Sequence, residues 1–336
     1  MSASRVLLLS AHEIAPRADT DLGEVVSALL AGLSAHPGCE VVHHEVSRLA
    51  DVERAVRTFR PDVVFNACET FYGQSRNEPA VPILLEKLDV AFTGSPAQTL
   101  RLCLLKSQAT AQLRTAGVSV PASQRFDATT CDIRLDGRLS YPVIVKPERE
   151  DGSVGIDDGS VVEDDASLRR AVLAILEGLG QPALVQSYIA GREIAVALLG
   201  YPAPRALPPG EIAFDRAIFG GRAQILTYAS KWDETSHDYG ASRSIGAAAS
   251  PAVLSRVAAC ARRAFDAVGM RDYGRVDMRL DASGRPFVID VNPNCDLSTG
   301  GGFMKAAARA GMSYTDAVGV VLRGALTRAI DARGAR

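Results

Sequence analysis

Gly274-Arg275-Val276-Asp277-Met278-Arg279-Leu280-Asp281 and Phe287-Val288-Ile289-Asp290-Val291-Asn292-Pro293-Asn294 are the two stretches whose reading decides the fold. They read as two short apolar strands joined by the turn Ala282-Ser283-Gly284-Arg285. Side chains alternate between the faces of a strand. Asp290 and Asn292 therefore point the same way, and Val291 between them points into the core. Asp277 stands on the partner strand, so three oxygen ligands can converge across one hairpin. Hard oxygen donors of this kind suit Mg²⁺, which keeps room for waters and substrate phosphates. Arg275 shares the face of Asp277 and brings a fixed positive charge beside the ligands. The plainer alternative is a surface hairpin with solvated charges. Polar residues set between Val, Ile and Phe argue for a site instead.

A phosphate-binding half is expected upstream. Pro142-Val143-Ile144-Val145 reads as a short buried strand that delivers Lys146 to its end. The loop Asp151-Gly152-Ser153-Val154-Gly155 follows. Its glycines let backbone N–H groups approach an anion, so lysine and loop together form a cradle for a triphosphate. No G-x-x-x-x-G-K-[ST] occurs, and the loop is not a Walker A motif. A further strand, Ala183 to Ile189, runs through Gly191-Arg192-Glu193 into Ile194 to Leu199. Its end can offer backbone groups to an adenine edge, and Glu193 can accept from ribose hydroxyls.

The order of these segments resembles the ATP-grasp superfamily, and within it the D-alanine–D-alanine ligase-like branch, from about Thr93 to Ser313. Thr93-Gly94-Ser95 before a helix carrying Lys106, the Lys146 strand with its glycine loop, Gly191-Arg192-Glu193, Lys231-Trp232-Asp233-Glu234-Thr235 as a mobile lid, and the Asp277/Asp290/Asn292 hairpin carry the likeness. The resemblance implies an α/β chain of ATP-grasp architecture: an N-terminal parallel-sheet domain over residues 1–95, a central subdomain over 96–185, and a C-terminal subdomain over 186–330 with lid and magnesium hairpin. It implies that Lys106, Lys146 and Lys231 contact ATP phosphates. Gln186, with the backbone of Ser187 to Ile189, faces adenine, and Glu193 holds the ribose. By the same resemblance Asp277, Asp290 and Asn292 would bind two Mg²⁺ ions, for which Mn²⁺ can substitute. Arg275 would steady the tetrahedral intermediate, Ser153 would help close the loop over the reacting groups, and Lys231 would join them as the third catalytic residue.

Departures from the family pattern fall mainly on the substrate half. Asp290 stands where the family usually carries Glu, Gln186 where an acid is usual, and Trp232 where the ligases have a lid tyrosine. The loop Pro293-Asn294-Cys295-Asp296-Leu297-Ser298-Thr299-Gly300-Gly301-Gly302-Phe303 differs from the one that holds the acceptor carboxylate. Leu9-Ser10-Ala11-His12-Glu13 lacks the usual glycine pair. Glu13, Glu69, Trp232, Asn294, Asp296 and Ser298 are the substrate candidates. His12, Tyr72 and Asn77 join them, because open α/β sheets place ligands at strand C-termini.

The 336 residues are 47% hydrophobic and 23% charged, with a net charge of −2, ordinary for a globular protein with a sizeable core. A pI near 6.2 makes no electrostatic case for nucleic acid or an anionic membrane. No apolar run is long enough to span a bilayer, and a cytoplasmic location is expected. Six cysteines without C-x-x-C spacing read as reduced thiols, with Cys295 singled out by its place in the substrate loop. No histidine–cysteine cluster suggests zinc and no G-x-S-x-G elbow suggests a hydrolase. Short strands alternating with helices over residues 6–65 predict a small parallel sheet. One helix is expected from Pro96 to Ala116, another capped by Asp164 or Asp165, a mobile lid within 201–244, and long helices from Pro251, Met304 and Tyr314.

These observations point to an ATP-dependent carboxylate–amine ligase. A carboxylate takes the γ-phosphate to give an acylphosphate and ADP, and an amine then displaces phosphate to form an amide between amino-acid-like substrates. D-Alanine–D-alanine ligase proper, a kinase on the same scaffold and a non-catalytic nucleotide-binding module are the alternatives. A homodimer is implied by the family alone.

Overall fold

The computed structural model describes residues 3–12, 22–127 and 132–334. Three strands, β1 (Ser4–Ala11), β2 (Cys39–Val46) and β3 (Val63–Asn66), form a parallel sheet in the order β2-β1-β3. β1 is the central strand, and Val6 to Leu9 are fully buried. Parallel strands covered on both faces read as continuous apolar runs, which is why this one does. Helix α1 (Leu22–Ser34) covers the face of Val6 and Leu8, and α2 (Leu49–Phe59) with α3 (Ala80–Lys87) covers that of Leu7 and Leu9. The short α3 has no counterpart in the sequence reading.

The single helix expected from Pro96 to Ala116 is two: α4 (Ala97–Leu104) and α5 (Lys106–Thr115). Leu105 between them is extended, at φ −100° and ψ 91°. The break has a local cause. The N–H of Lys106 donates to the Glu148 carbonyl at 3.2 Å, and the N–H and hydroxyl of Ser107 donate to the Glu148 carboxylate at 3.2 and 2.5 Å. A residue distant in sequence thus caps a new helix start, and Lys106 becomes its first residue.

A four-stranded antiparallel sheet has the order β4-β7-β5-β6, from β4 (Ser123–Phe126), β5 (Val143–Pro147), β6 (Val161–Val162) and β7 (Ala183–Ser187). Helix α6 (Asp165–Gly178) backs it, capped by Asp164, whose carboxylate accepts from the Ser167 N–H at 2.7 Å.

The largest sheet is also antiparallel, in the order β11-β10-β8-β12-β13, with β9 (Arg205–Ala206) paired to β8. Its strands are β8 (Arg192–Gly200), β10 (Gly210–Phe214), β11 (Ser242–Gly246), β12 (Asp272–Leu280) and β13 (Pro286–Asn292). Ile194, Val196 and Leu198 pack under α9 (Pro251–Val268), while Ala197 and Leu199 face α10 (Gly302–Arg309) and α11 (Tyr314–Gly334). The 201–244 segment, expected to contain a lid, holds strands β9 and β10 and the start of β11, all too short for periodicity to reveal. Between β10 and β11 lie α7 (Arg216–Phe219) and α8 (Tyr228–Trp232). Among the described residues no helix is long and apolar enough to cross a membrane.

Candidate active site

The hairpin is built as its alternation dictates. Asp277 pairs with Asp290 and Arg275 with Asn292 across β12 and β13, so all four share one face of the sheet. A bulge follows: Asp277 opposes Asp290 but Met278 opposes Val288, leaving Ile289 outside the ladder. Bulges unpair one residue and re-aim its backbone. The Ile289 carbonyl accepts a 2.9 Å hydrogen bond from Lys146 Nζ, arriving from β5 of the facing sheet. The two halves of the site are thus joined through an irregularity that period-two reasoning does not contain.

Charges on this face are compensated in pairs. Arg275 forks onto Asp277 at 2.8 and 2.9 Å, which raises its own pKa. Lys106 lies between Asp290, at 3.1 Å, and Asp151, at 3.2 Å. Burial opposes its charge, but the two carboxylates outweigh that and raise its pKa. Burial likewise opposes the Asp290 carboxylate, yet Lys106 and Lys146 hold its pKa below the usual range. Lys146 gains less from its neighbours, and burial brings its pKa down to about 8. Lys231, at the end of the short helix α8, is lowered by burial and by Arg275.

A cavity of 370 Å³ lies between the two antiparallel sheets. Lys106, Lys146, Ser153, Gln186, Ser187, Ile189, Glu193 and Lys231, with Arg275, Asp277, Asp290 and Asn292, all line it. The glycine loop forms its edge, with Gly152 and Ser153 both left-handed at φ 63° and 67°. Trp232 Nε1 donates to the Gly152 carbonyl at 2.8 Å, so the segment between β10 and β11 is closed onto the loop.

Arg279 was not among the sequence-derived candidates. It is 4% exposed and pairs with Glu193 at 3.1 Å while donating to the carbonyls of Ile189, Gly191 and Gln224. It clamps the connection between β7 and β8, and burial still raises the Glu193 pKa. The alternation Arg275, Asp277, Arg279 already places it on the site face, and that signal was available.

A second cavity, of 190 Å³, adjoins the first. Asp151, Gly152, Lys231, Arg275 and Asn292 line both. Glu69, Trp232, Asn294 and Asp296 line the second, as does Glu78, which the sequence reading missed. Asn294 Nδ2 donates to Glu78 at 2.7 Å and its Oδ1 accepts from the Tyr273 hydroxyl at 2.7 Å, fixing it between the parallel sheet and β12. Several candidates fall elsewhere. Ser298 does not line the cavity; its N–H and hydroxyl bond Asp296 at 2.6 and 2.7 Å and orient that carboxylate. Tyr72 and Asn77 line neither cavity, Asn77 being spent on the Phe71 carbonyl at 3.1 Å. His12 is exposed and bonds Glu45 at 2.8 Å. Glu13 lies outside the described residues. Cys295 is buried in the apolar core and its thiol pKa is raised by burial, the opposite of what a nucleophile needs.

Comparison with known proteins gives one answer. The family described as D-ala D-ala ligase C-terminus matches residues 113–323. The D-alanine–D-alanine ligase of Desulforudis audaxviator is 30% identical over 85% of this chain and 88% of its own length. An uncharacterized protein, y4sG, of Sinorhizobium fredii is 35% identical over 77% of this chain and 73% of its own. Among solved structures, the D-alanine–D-alanine ligase of Bacillus anthracis superposes with a TM-score of 0.77 over 98% of this chain and 100% of that one, at 19% identity. The VanG D-Ala:D-Ser ligase of Enterococcus faecalis gives 0.71 over 96% and 99%, at 17% identity. The chain belongs to the D-alanine–D-alanine ligase branch of the ATP-grasp superfamily.

Proposed function

We propose that this chain is an ATP-dependent, ADP-forming carboxylate–amine ligase that joins two amino-acid-like substrates, at least one of them other than D-alanine. One observation carries the reading. A nucleotide-sized cavity and a smaller acidic one meet at Arg275, Lys231 and Asn292, where a γ-phosphate and a substrate carboxylate can come together. ATP lies in the larger cavity, with its phosphates toward Lys106, Lys146 and the N–H groups of the glycine loop. Fixed cations and N–H dipoles at such a place stabilise the charge that develops on the transferring phosphoryl group.

Asp277, Asp290 and Asn292 offer two carboxylates and an amide oxygen on one face, a donor set that fits Mg²⁺. Bound there, the metal neutralises phosphate charge. Lys106 and Arg275 hold the same carboxylates in place. The acid substrate enters the smaller cavity, its ammonium facing Glu69, Glu78 and Asp296. Arg275, from its fork on Asp277, steadies the oxyanion when the amine adds to the acylphosphate. Trp232 on the Gly152 carbonyl keeps water from that intermediate. The Asp296–Ser298 turn in the acceptor loop supports a pair of substrates different from two D-alanines.

The test is ADP release from purified protein with Mg²⁺ and ATP, across D- and L-amino acids offered singly and in pairs, with products weighed by mass spectrometry. A product equal to the two substrates minus water is the expected result and names them. ADP release without an amine would mean a kinase. A product from D-alanine alone would return the chain to plain D-alanyl-D-alanine synthesis.

A further inference from the structure

Three arginines line the larger cavity: Arg275, Arg279 and Arg309. Two are matched to carboxylates, Arg275 to Asp277 and Arg279 to Glu193. Arg309, the last residue of α10, makes no ion pair among the described residues. Its Nη2 donates to the Pro208 carbonyl at 3.4 Å, and its buried Nε has no partner among the described residues. Buried donors are nearly always satisfied, and one left open is costly. Burial lowers the Arg309 pKa, the reverse of the shift at Arg275.

The wall around Arg309 is made of small residues. A Cβ on Gly210 would stand 2.9 Å from Arg309 Nη2, and one on Gly246 would stand 3.5 Å from its Cδ. The side chain is therefore laid against two glycines, on β10 and β11. Asp277 pairs with Ala195, and Ala195 with Gly210, so the guanidinium stands two strand spacings, roughly 10 Å, from the Asp277 column. Ala195 and Ala197 on the intervening strand leave that span open to a ligand, and Gly302 and Ser244 border it.

We infer that Arg309 is the anion subsite for the amine substrate, receiving a carboxylate remote from the reacting amine. The inference rests on the ligase reading and deepens it by naming the acceptor class: a dicarboxylic amino acid or a short peptide acid. The α-carboxylate of alanine is one carbon from its amine and stays beside Arg275. An acid group at the end of a longer side chain, or on a second residue, spans the alanine and glycine floor. The guanidinium fork matches a carboxylate with two parallel hydrogen bonds.

The test is equilibrium binding by calorimetry, in the presence of Mg²⁺ and a non-hydrolysable ATP analogue. The probes are acid and amide pairs: glutamate and glutamine, aspartate and asparagine in both hands, and alanyl-alanine with its C-terminal amide. At least one acid is expected to bind tenfold or more tightly than its amide. Arg309→Met is expected to erase that preference, and Arg309→Lys to retain part of it, with an unchanged thermal melt serving as the folding control. No acid preference in any pair, or a preference that survives Arg309→Met, would overturn the subsite. Because binding needs no turnover, an acid preference without ADP release would sink the ligase reading and leave the anion subsite standing.

Discussion

Lys146 shows how one residue carries sequence logic and tertiary accident together. Its place at a strand end before Pro147 is legible in the chain. Its partner, the carbonyl of Ile289 at 2.9 Å, is not, because the bulge that frees the carbonyl arises when two strands of unequal count are paired. Burial leaves the Lys146 ammonium with a pKa of about 8. Its positive charge is therefore present at pH 7 and lost as pH rises through that value. Affinity for ATP without divalent metal, followed by calorimetry from pH 7 to 9.5, is expected to fall across pH 8. Lys146→Met should bind weakly at every pH and show no such step. The same shift has a stability consequence of opposite sense. Between about pH 8 and the ordinary lysine range the unfolded chain binds more protons than the folded one, so this group's contribution to stability rises with pH there. Arg279 makes the complementary point. Its face was readable from alternation, but its role as a clamp on three carbonyls needed the β7–β8 connection folded around it.

The β7–β8 connection is the element on which the nucleotide site turns. Gly191 has φ 139°, and a Cβ placed on it would collide with the Leu280 carbonyl oxygen. The backbone there is pressed against β12, which lets the Gly191 carbonyl accept from Arg279 at 2.9 Å. Gly191→Ala combines a strained backbone with a clash and is expected to destabilise the protein by about 2–4 kcal/mol. Urea unfolding measures the loss, and weakened ATP binding should accompany it as Glu193 and Arg279 shift. A stability change within 0.5 kcal/mol would mean that the connection moves aside freely. Nothing in the local sequence distinguishes Gly191 from an ordinary turn glycine, since the obstacle comes from residue 280. The split between α4 and α5 has the same origin. Residues 96–116 are all compatible with helix, and only Glu148 arriving at residue 107 makes the chain restart at Lys106.

Across the whole molecule, the parallel sheet and the largest sheet share one core. Val6, Leu8 and Leu29 pack in the same cluster as Leu199, Phe303, Val318 and Leu322. Asp272 sits in that junction, fully buried. It accepts from the Gly94 N–H at 2.8 Å and pairs with Arg328 of α11, which also bonds the Phe92 carbonyl at 2.6 Å. Removing the carboxylate leaves a mostly buried guanidinium unpaired, so Asp272→Ala is expected to cost about 3–5 kcal/mol. Thermal melting should show it. A loss under 1 kcal/mol would mean that the C-terminal helix is held by apolar contact alone.

What the chain determined by itself was whatever depends on short-range pattern. Alternation put Asp277, Asp290, Asn292 and Arg275 on one face, apolar runs marked the parallel strands, and the order of short motifs marked the family. Tertiary structure alone decided the rest: the bulge that exposes Ile289, the helix break at Leu105, the place of Glu78 beside Asn294, and the glycine floor under Arg309. Each of these depends on a residue brought from far along the chain, and pairwise contact between distant segments leaves no periodic mark on either one.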